Sequence, residues 1–215
     1  MSAETALREQ ICTIARSIFD RGLTGGASGN ISARLPDGGL LVTPTGASMG
    51  TLDPARLSRF DAEGRHIDGD RPTKEMPLHT AFYDTRASTG AVVHLHSTHS
   101  TALSMLRDVD PENMLPPLTA YSIMRLGKVV RLPYFRPGDP AMGEAVRGLA
   151  GRRSAMVLAH HGPVVAGKDL EAALYAMEEL EETSKLALLL RDRDPVLLSD
   201  AEVMELVRIH KPDWD

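Results

Sequence analysis

Ala91-Val92-Val93-His94-Leu95-His96-Ser97-Thr98-His99 sets an apolar run against two imidazoles spaced two residues apart. In a strand, residues two apart share a face, so a strand over Ala91 to His96 would present His94 and His96 together before a helix over Ser97 to Leu106. A second cluster, His160-His161-Gly162, follows the apolar run Ala155-Met156-Val157-Leu158-Ala159. The strand period sends His160 and His161 to opposite sides, so one of them can join the first pair, and the period does not choose between them. Three neutral imidazoles with an open position describe a catalytic metal site of the zinc type better than a closed structural one. His99, in the following helix, reads as a hydrogen-bonding group beside the site.

Working outward, helical and strand periods alternate along the chain. Leu7, Ile11, Ile14 and Ile18 repeat at helical spacing and stop before Gly22, as an amphipathic first helix should. Ile31 to Arg34 and Leu40 to Thr43 read as a hairpin around Pro36-Asp37-Gly38-Gly39. A short helix is expected over Met76 to Asp84, a strand over Val129 to Leu132 and a helix over Ala141 to Ala150. Ala155 to Ala159 and Val164 to Ala166 pair as strands around the histidine turn. Asp169 caps a long helix, and Ser199 to Glu202 is a capping-box sequence before the last one. Mixed strands and helices with several hairpins favour an α/β sandwich over a parallel doubly wound sheet. With 215 residues and no convincing linker, the chain is expected to form one domain over 1–215.

Composition narrows the function classes. A net charge of −5 with 24 scattered lysines and arginines gives no basic field for nucleic acid. No apolar run approaches the roughly 20 residues that span a bilayer, and no signal peptide leads the chain, so a cytoplasmic protein with no membrane partner is expected. The one cysteine, Cys12, offers neither a disulfide framework nor a thiolate metal site and reads as a small packed hydrophobe.

Other residues carry chemistry beside the histidines. Glu75 stands where a helix begins, suited to the helix dipole or, near a metal, to general acid/base work. The loop Gly25-Gly26-Ala27-Ser28-Gly29-Asn30 and the run Thr43-Pro44-Thr45-Gly46 offer amides and hydroxyls to an anion such as phosphate. Neither is a Walker loop, a dinucleotide fingerprint or a hydrolase elbow.

Taken in order, Gly29-Asn30-Ile31-Ser32, Val42-Thr43-Pro44-Thr45-Gly46, Glu75, Val93-His94-Leu95-His96 and His160-His161-Gly162 resemble the class II aldolase/adducin family over roughly residues 5 to 190. The resemblance implies a three-layer α/β/α sandwich around a mainly antiparallel sheet, and a homotetramer with active sites at subunit interfaces. It makes His94, His96 and His161 the ligands of Zn²⁺ or another divalent transition metal. Glu75 matches the catalytic carboxylate, which also binds the metal before substrate arrives. Asn30, Thr45 and Gly46 match phosphate-binding positions with Gly29 beside them, and Tyr121 falls near the family's catalytic tyrosine.

One departure narrows the reading. Where the sugar-phosphate aldolases carry Ser-Ser-Glu, this chain has Thr73-Lys74-Glu75, and a cation there suits a substrate with a carboxylate as well as a phosphate. With Tyr121 to Gly127 and Tyr134 to Asp139, this segment is most similar to the 3-oxo-tetronate 4-phosphate decarboxylases within the family. The similarity implies loss of carbon dioxide through a metal-stabilised enediolate, giving dihydroxyacetone phosphate. Lys74 would orient the carboxylate, Thr73 would join the phosphate site, and Glu75 or Tyr121 would deliver the proton. A class II sugar-phosphate aldolase is the alternative, ahead of a 4-epimerase and a non-catalytic adducin-like module.

Overall fold

The expected hairpin forms from Asn30–Arg34 (β1) and Leu40–Val42 (β2), with Asp37 and Gly38 making the turn that joins them. In the computed structural model, which describes residues 2–136 and 138–215, this hairpin lies inside one eight-stranded sheet. Pro137, within the Tyr134 to Asp139 motif, lies outside the described residues. The other strands are Ser58–Phe60 (β3), His66–Asp68 (β4), Ala91–His94 (β5), Val130–Leu132 (β6), Ala155–Leu158 (β7) and Gly162–Gly167 (β8), in the order β4-β3-β2-β1-β5-β8-β7-β6. Among the described residues, only β6 and β7 pair parallel.

Both faces of the sheet are covered. Helices Ala3–Asp20 (α1), Thr98–Ser104 (α3), Ala120–Leu126 (α4) and Leu170–Leu189 (α6) pack with Ile31, Val93, Val157 and Val165 in one core. Met76–Thr85 (α2) and Pro140–Ala150 (α5) pack with Val92, Met156 and Val164 in the other. Alternate residues of one strand thus serve opposite cores, as a sheet buried on both sides requires. The result is the α/β/α sandwich with a mainly antiparallel sheet. The last helix, Asp200–His210 (α7), carries the full reciprocal capping box of Ser199 and Glu202 and rests on α4.

Three expectations need correction. The strand foreseen over Ala91 to His96 ends at His94, because its neighbour β1 begins opposite that residue, at Asn30, and on the other side Leu95 meets Pro163, which has no N–H to return to the ladder. The following helix is shorter than expected, Thr98–Ser104. Strands β3 and β4 and helix α4 had no counterpart in the reading of the sequence. The two strands are three residues each, and β4 is wholly exposed, so neither shows the alternation that marks a half-buried strand.

Candidate metal centre

Parity on β1 and β5 decides which side chains meet α2. His94 shares the face of Val92, and Asn30 and Ser32 share the opposite parity to Ile31, so all three point toward the layer that holds Glu75 and His79. His96 arrives from the turn beyond β5, not from strand alternation. His161 arrives from the β7–β8 turn, where His160 takes a left-handed conformation (φ 60°) that throws its own ring outward onto Tyr134 at 6.2 Å. The pair is thereby resolved, with His161 inside and His160 outside.

Gly162 makes that turn possible. A Cβ at this position, with φ +154°, would stand 2.1 Å from Leu95 O, so only glycine lets the turn lie against the Leu95–His96 backbone. Gly29 (φ +81°) likewise passes so close to β5 that a Cβ would stand 2.9 Å from His94 O.

The outcome is a cluster in which one atom each from Glu75, His94, His96 and His161 all lie within 4.8 Å of one another. His161 Nε2 is 3.0 Å from Glu75 Oε1 and 3.1 Å from His96 Nε2, and His94 Nε2 is 3.4 Å from Glu75 Oε2. The His94 Nδ1–H donates to Pro163 O at 2.8 Å, which leaves the Nε2 lone pair facing the cluster. That Nε2 is buried with no hydrogen-bond partner. A buried, outward-aimed lone pair beside two imidazoles and a carboxylate fits a divalent transition metal, whose histidine ligands are oriented by a bond from the other ring nitrogen.

Electrostatics agree with that use. Burial pushes His94 down to about 3 and His79 down to about 4, and burial also lowers His96, followed by the charge of His161. Burial alone would raise the Glu75 carboxyl, but the His161 hydrogen bond, the field of His94 and the Asn30 amide outweigh it and hold it well below the usual carboxylate range. Neutral imidazoles and an ionised carboxylate are the ligand forms a metal takes.

These values carry a consequence for folding. An unfolded histidine titrates near 6.5, so between about pH 6.5 and 4 the unfolded chain binds protons that buried His79 refuses. Its contribution is complete above the unfolded value and is lost as pH falls toward the folded one. The metal-free protein should lose about 3 kcal/mol of unfolding free energy from His79 alone between pH 7 and pH 4. Denaturant melts in chelator at those two pH values check this, and equal midpoints would refute it.

Glu75 and His96 of the cluster line a cavity of about 290 Å³ together with Gly29, Asn30, Thr45, Gly46, Thr73 and Lys74. All the residues expected to hold substrate therefore share one cleft with Glu75 and His96. Several are already engaged. The Thr45 N–H donates to Arg71 O at 3.0 Å, and Thr73 Oγ1 accepts from the Glu75 N–H at 3.2 Å. The Asn30 amide donates to Glu75 Oε2 at 2.7 Å, so in this structure it serves the carboxylate. Lys74 is exposed at the cleft. Tyr121, on α4, is 61 % exposed and does not line this cleft.

Two participants escaped sequence reasoning because their partners lie far along the chain. Glu181, on α6, accepts from the backbone N–H of His99 (2.7 Å) and Ser100 (2.9 Å), the Ser100 hydroxyl (2.6 Å) and His99 Nδ1 (2.8 Å). It supplies the cap that the Ser97 side chain does not, and so anchors the turn carrying His96. His99 is thereby a hydrogen-bonding group, as expected. The second participant is His79, fully buried behind Asn30.

The model of the family described as "Class II Aldolase and Adducin N-terminal domain" matches residues 9–188. The chain is 49% identical over 203 residues to a 3-oxo-tetronate 4-phosphate decarboxylase of Escherichia coli K12, covering 94% of this chain and 96% of that protein. It is 35% identical over 201 residues to the L-fuculose phosphate aldolase of the same organism, covering 88% and 90% of the two chains. The solved structure of Escherichia coli YgbL superposes with a TM-score of 0.93 at 47% identity, over 95% of this chain and 99% of that one.

Proposed function

The chain belongs to the class II aldolase and adducin family, and we propose that it removes carbon dioxide from 3-oxo-tetronate 4-phosphate to give dihydroxyacetone phosphate. It is then a metal-dependent carbon–carbon lyase acting on a phosphorylated sugar acid. The observation that carries this is the His–Glu cluster, whose Glu75 and His96 line one cleft with Lys74, in a chain close over nearly its whole length to a decarboxylase of that name.

The substrate's keto group is β to its carboxylate, so the C1–C2 bond breaks with its electron pair moving toward the C3 oxygen. Zn²⁺, the metal we favour for the three imidazoles and Glu75, supplies Lewis-acid stabilisation of that charge when bound. The protein's residues do the rest. Thr45, Gly46, Gly29 and Thr73 hold the phosphate, with Asn30 offering the amide hydrogen it does not give to Glu75, and this fixes the reacting carbons over the cluster. Lys74 orients the carboxylate without burying it, which limits ground-state stabilisation. The enediolate carbon C2 then needs one proton, which comes from solvent through Glu75, protonated for that step, with Tyr121 of a neighbouring subunit as the other donor.

An aldolase would instead need a base for the hydroxyl that becomes an aldehyde. The deciding experiment gives the metal-loaded protein the acid and fuculose 1-phosphate separately, following carbon dioxide, dihydroxyacetone phosphate and aldehyde. Equal yields of the first two from the acid are expected. Aldehyde from the sugar phosphate, with the acid untouched, would overturn the reading. Replacing Lys74 by serine should weaken turnover of the acid about tenfold or more while sparing a neutral sugar phosphate, and equal losses on both would remove its carboxylate role.

A homotetramer with interfacial sites is supported by the exposure of Tyr121 away from its own cleft. Mixing inactive Tyr121→Phe and His96→Ala subunits should then restore up to about a quarter of wild-type activity, because some interfaces pair two intact contributors. No recovery on subunit exchange would count against it. Among the described residues, no helix is long and apolar enough to cross a membrane, in line with the cytoplasmic location we favour.

A further inference from the structure

Behind Glu75 runs a buried line of polar side chains that neither the cluster nor the cleft accounts for. Glu75 Oε2 meets Asn30 Nδ2 at 2.7 Å, Asn30 Oδ1 meets His79 Nε2 at 2.5 Å, His79 Nδ1 meets Ser32 Oγ at 2.7 Å, and Ser32 Oγ meets Tyr83 Oη at 2.9 Å. His79 and Ser32 are fully buried, and Asn30 and Tyr83 nearly so. A buried polar line at the β1–α2 contact costs stability unless every member is paired, and here every member is.

Hydrogen-bond inventory fixes its direction. An ionised carboxylate only accepts, so the Asn30 amide must turn its NH₂ to Glu75 and its oxygen to His79. That oxygen can only accept, so His79 Nε2 carries the proton. A neutral ring then has a lone pair on Nδ1, which takes the Ser32 hydroxyl proton, and Ser32 Oγ takes the Tyr83 O–H. Burial, which pushes His79 down to about 4, keeps the ring neutral. Every donor in the line therefore points toward Glu75.

We propose that His79 is a positioning residue, which in its Nε2–H form locks the Asn30 amide so that its donor faces Glu75 and holds that carboxylate at the reacting carbon. The proposal rests on the reading of Glu75 as the catalytic carboxylate. An amide does not relay protons along such a line, so the line orients and polarises and does not conduct. It also gives Asn30 a set orientation, in which one amide hydrogen stays on Glu75 and the other is offered to the substrate phosphate.

The test has one readout independent of activity. Long-range ¹H–¹⁵N correlation of the imidazoles in the wild-type protein should show His79 as the neutral Nε2–H tautomer at pH 7. An Nδ1–H tautomer or an imidazolium overturns the proposal. In metal-loaded protein, His79→Leu should lower kcat about 10- to 100-fold with KM little changed. His79→Gln, whose amide can still donate to Asn30 and accept from Ser32, should recover most of the loss. A folded, metal-replete His79→Leu with wild-type kcat, or glutamine and leucine variants equally impaired, would also overturn it. If the leucine variant does not fold, the tautomer decides alone. If the wild type does not decarboxylate the acid, the functional reading fails while the tautomer still reports on the line.

Discussion

His96→Ala protein is expected to fold normally, to retain little divalent metal after dialysis and to lose more than about a hundred-fold in decarboxylation, beyond the usual cost of losing a group that merely supports a ligand. The argument starts from exposure. His96 stands on a solvent-facing turn, so truncation leaves no core cavity, and surface changes of this kind cost within about 0.5 kcal/mol. What it removes is one of three imidazoles converging on Glu75, and the remaining two cannot complete the ligand set of a catalytic site. Metal analysis and melting of the metal-free protein, run with the activity assay, separate the two effects. Wild-type activity in thoroughly metal-depleted His96→Ala protein would sink the mechanism.

Gly162→Ala should be a severely damaging conservative change at the metal centre. Its Cβ would stand 2.1 Å from Leu95 O and 3.1 Å from the His96 Cα, both backbone atoms that cannot swing aside. Overpacking of that kind costs about 1–3 kcal/mol, and a side chain at a backbone angle kept for glycine costs about 1–3 kcal/mol more. The variant should therefore lose about 2–6 kcal/mol of stability, and whatever folds should bind metal poorly, because relief of the contact moves His161 away from His96. Denaturant melts with metal titration test this. Stability and metal affinity equal to the wild type would show that the turn has room the structure does not reveal.

Much of this molecule could be read along the chain because its signals are local. The α1 and α6 stripes, the Ser199 box and the hairpin at Asp37 each depend on residues a few positions apart, and all of them formed. The histidine runs and Glu75 were equally visible, and the family match over residues 9–188 agrees with the resemblance drawn from them. What stayed hidden depends on partners brought from a distance. His79 meets Asn30 49 positions away, and Glu181 caps a helix 82 positions away, so neither leaves a periodic trace. The end of β5 at His94 was missed for a related reason, since a strand stops where its neighbour stops, and β1 starts opposite His94 at Asn30, 64 positions back. Helix α4 is only seven residues long, too short to declare a face.

The strict alternation of β5 and β1 between two cores also limits how the length of this chain can change over evolution. Inserting or deleting one residue upstream within β5 would turn His94 toward the core of α1 and hand Val93 or Leu95 to the metal, while the same event in β1 would turn Asn30 and Ser32 away from His79. Such events should be eliminated among active descendants, whereas the exposed turn at 61–64 between β3 and β4 can lengthen by any number. Gaps among functional relatives should thus gather at the far edge of the sheet, and a library of single-codon insertions scored for metal retention would show the same map within one generation.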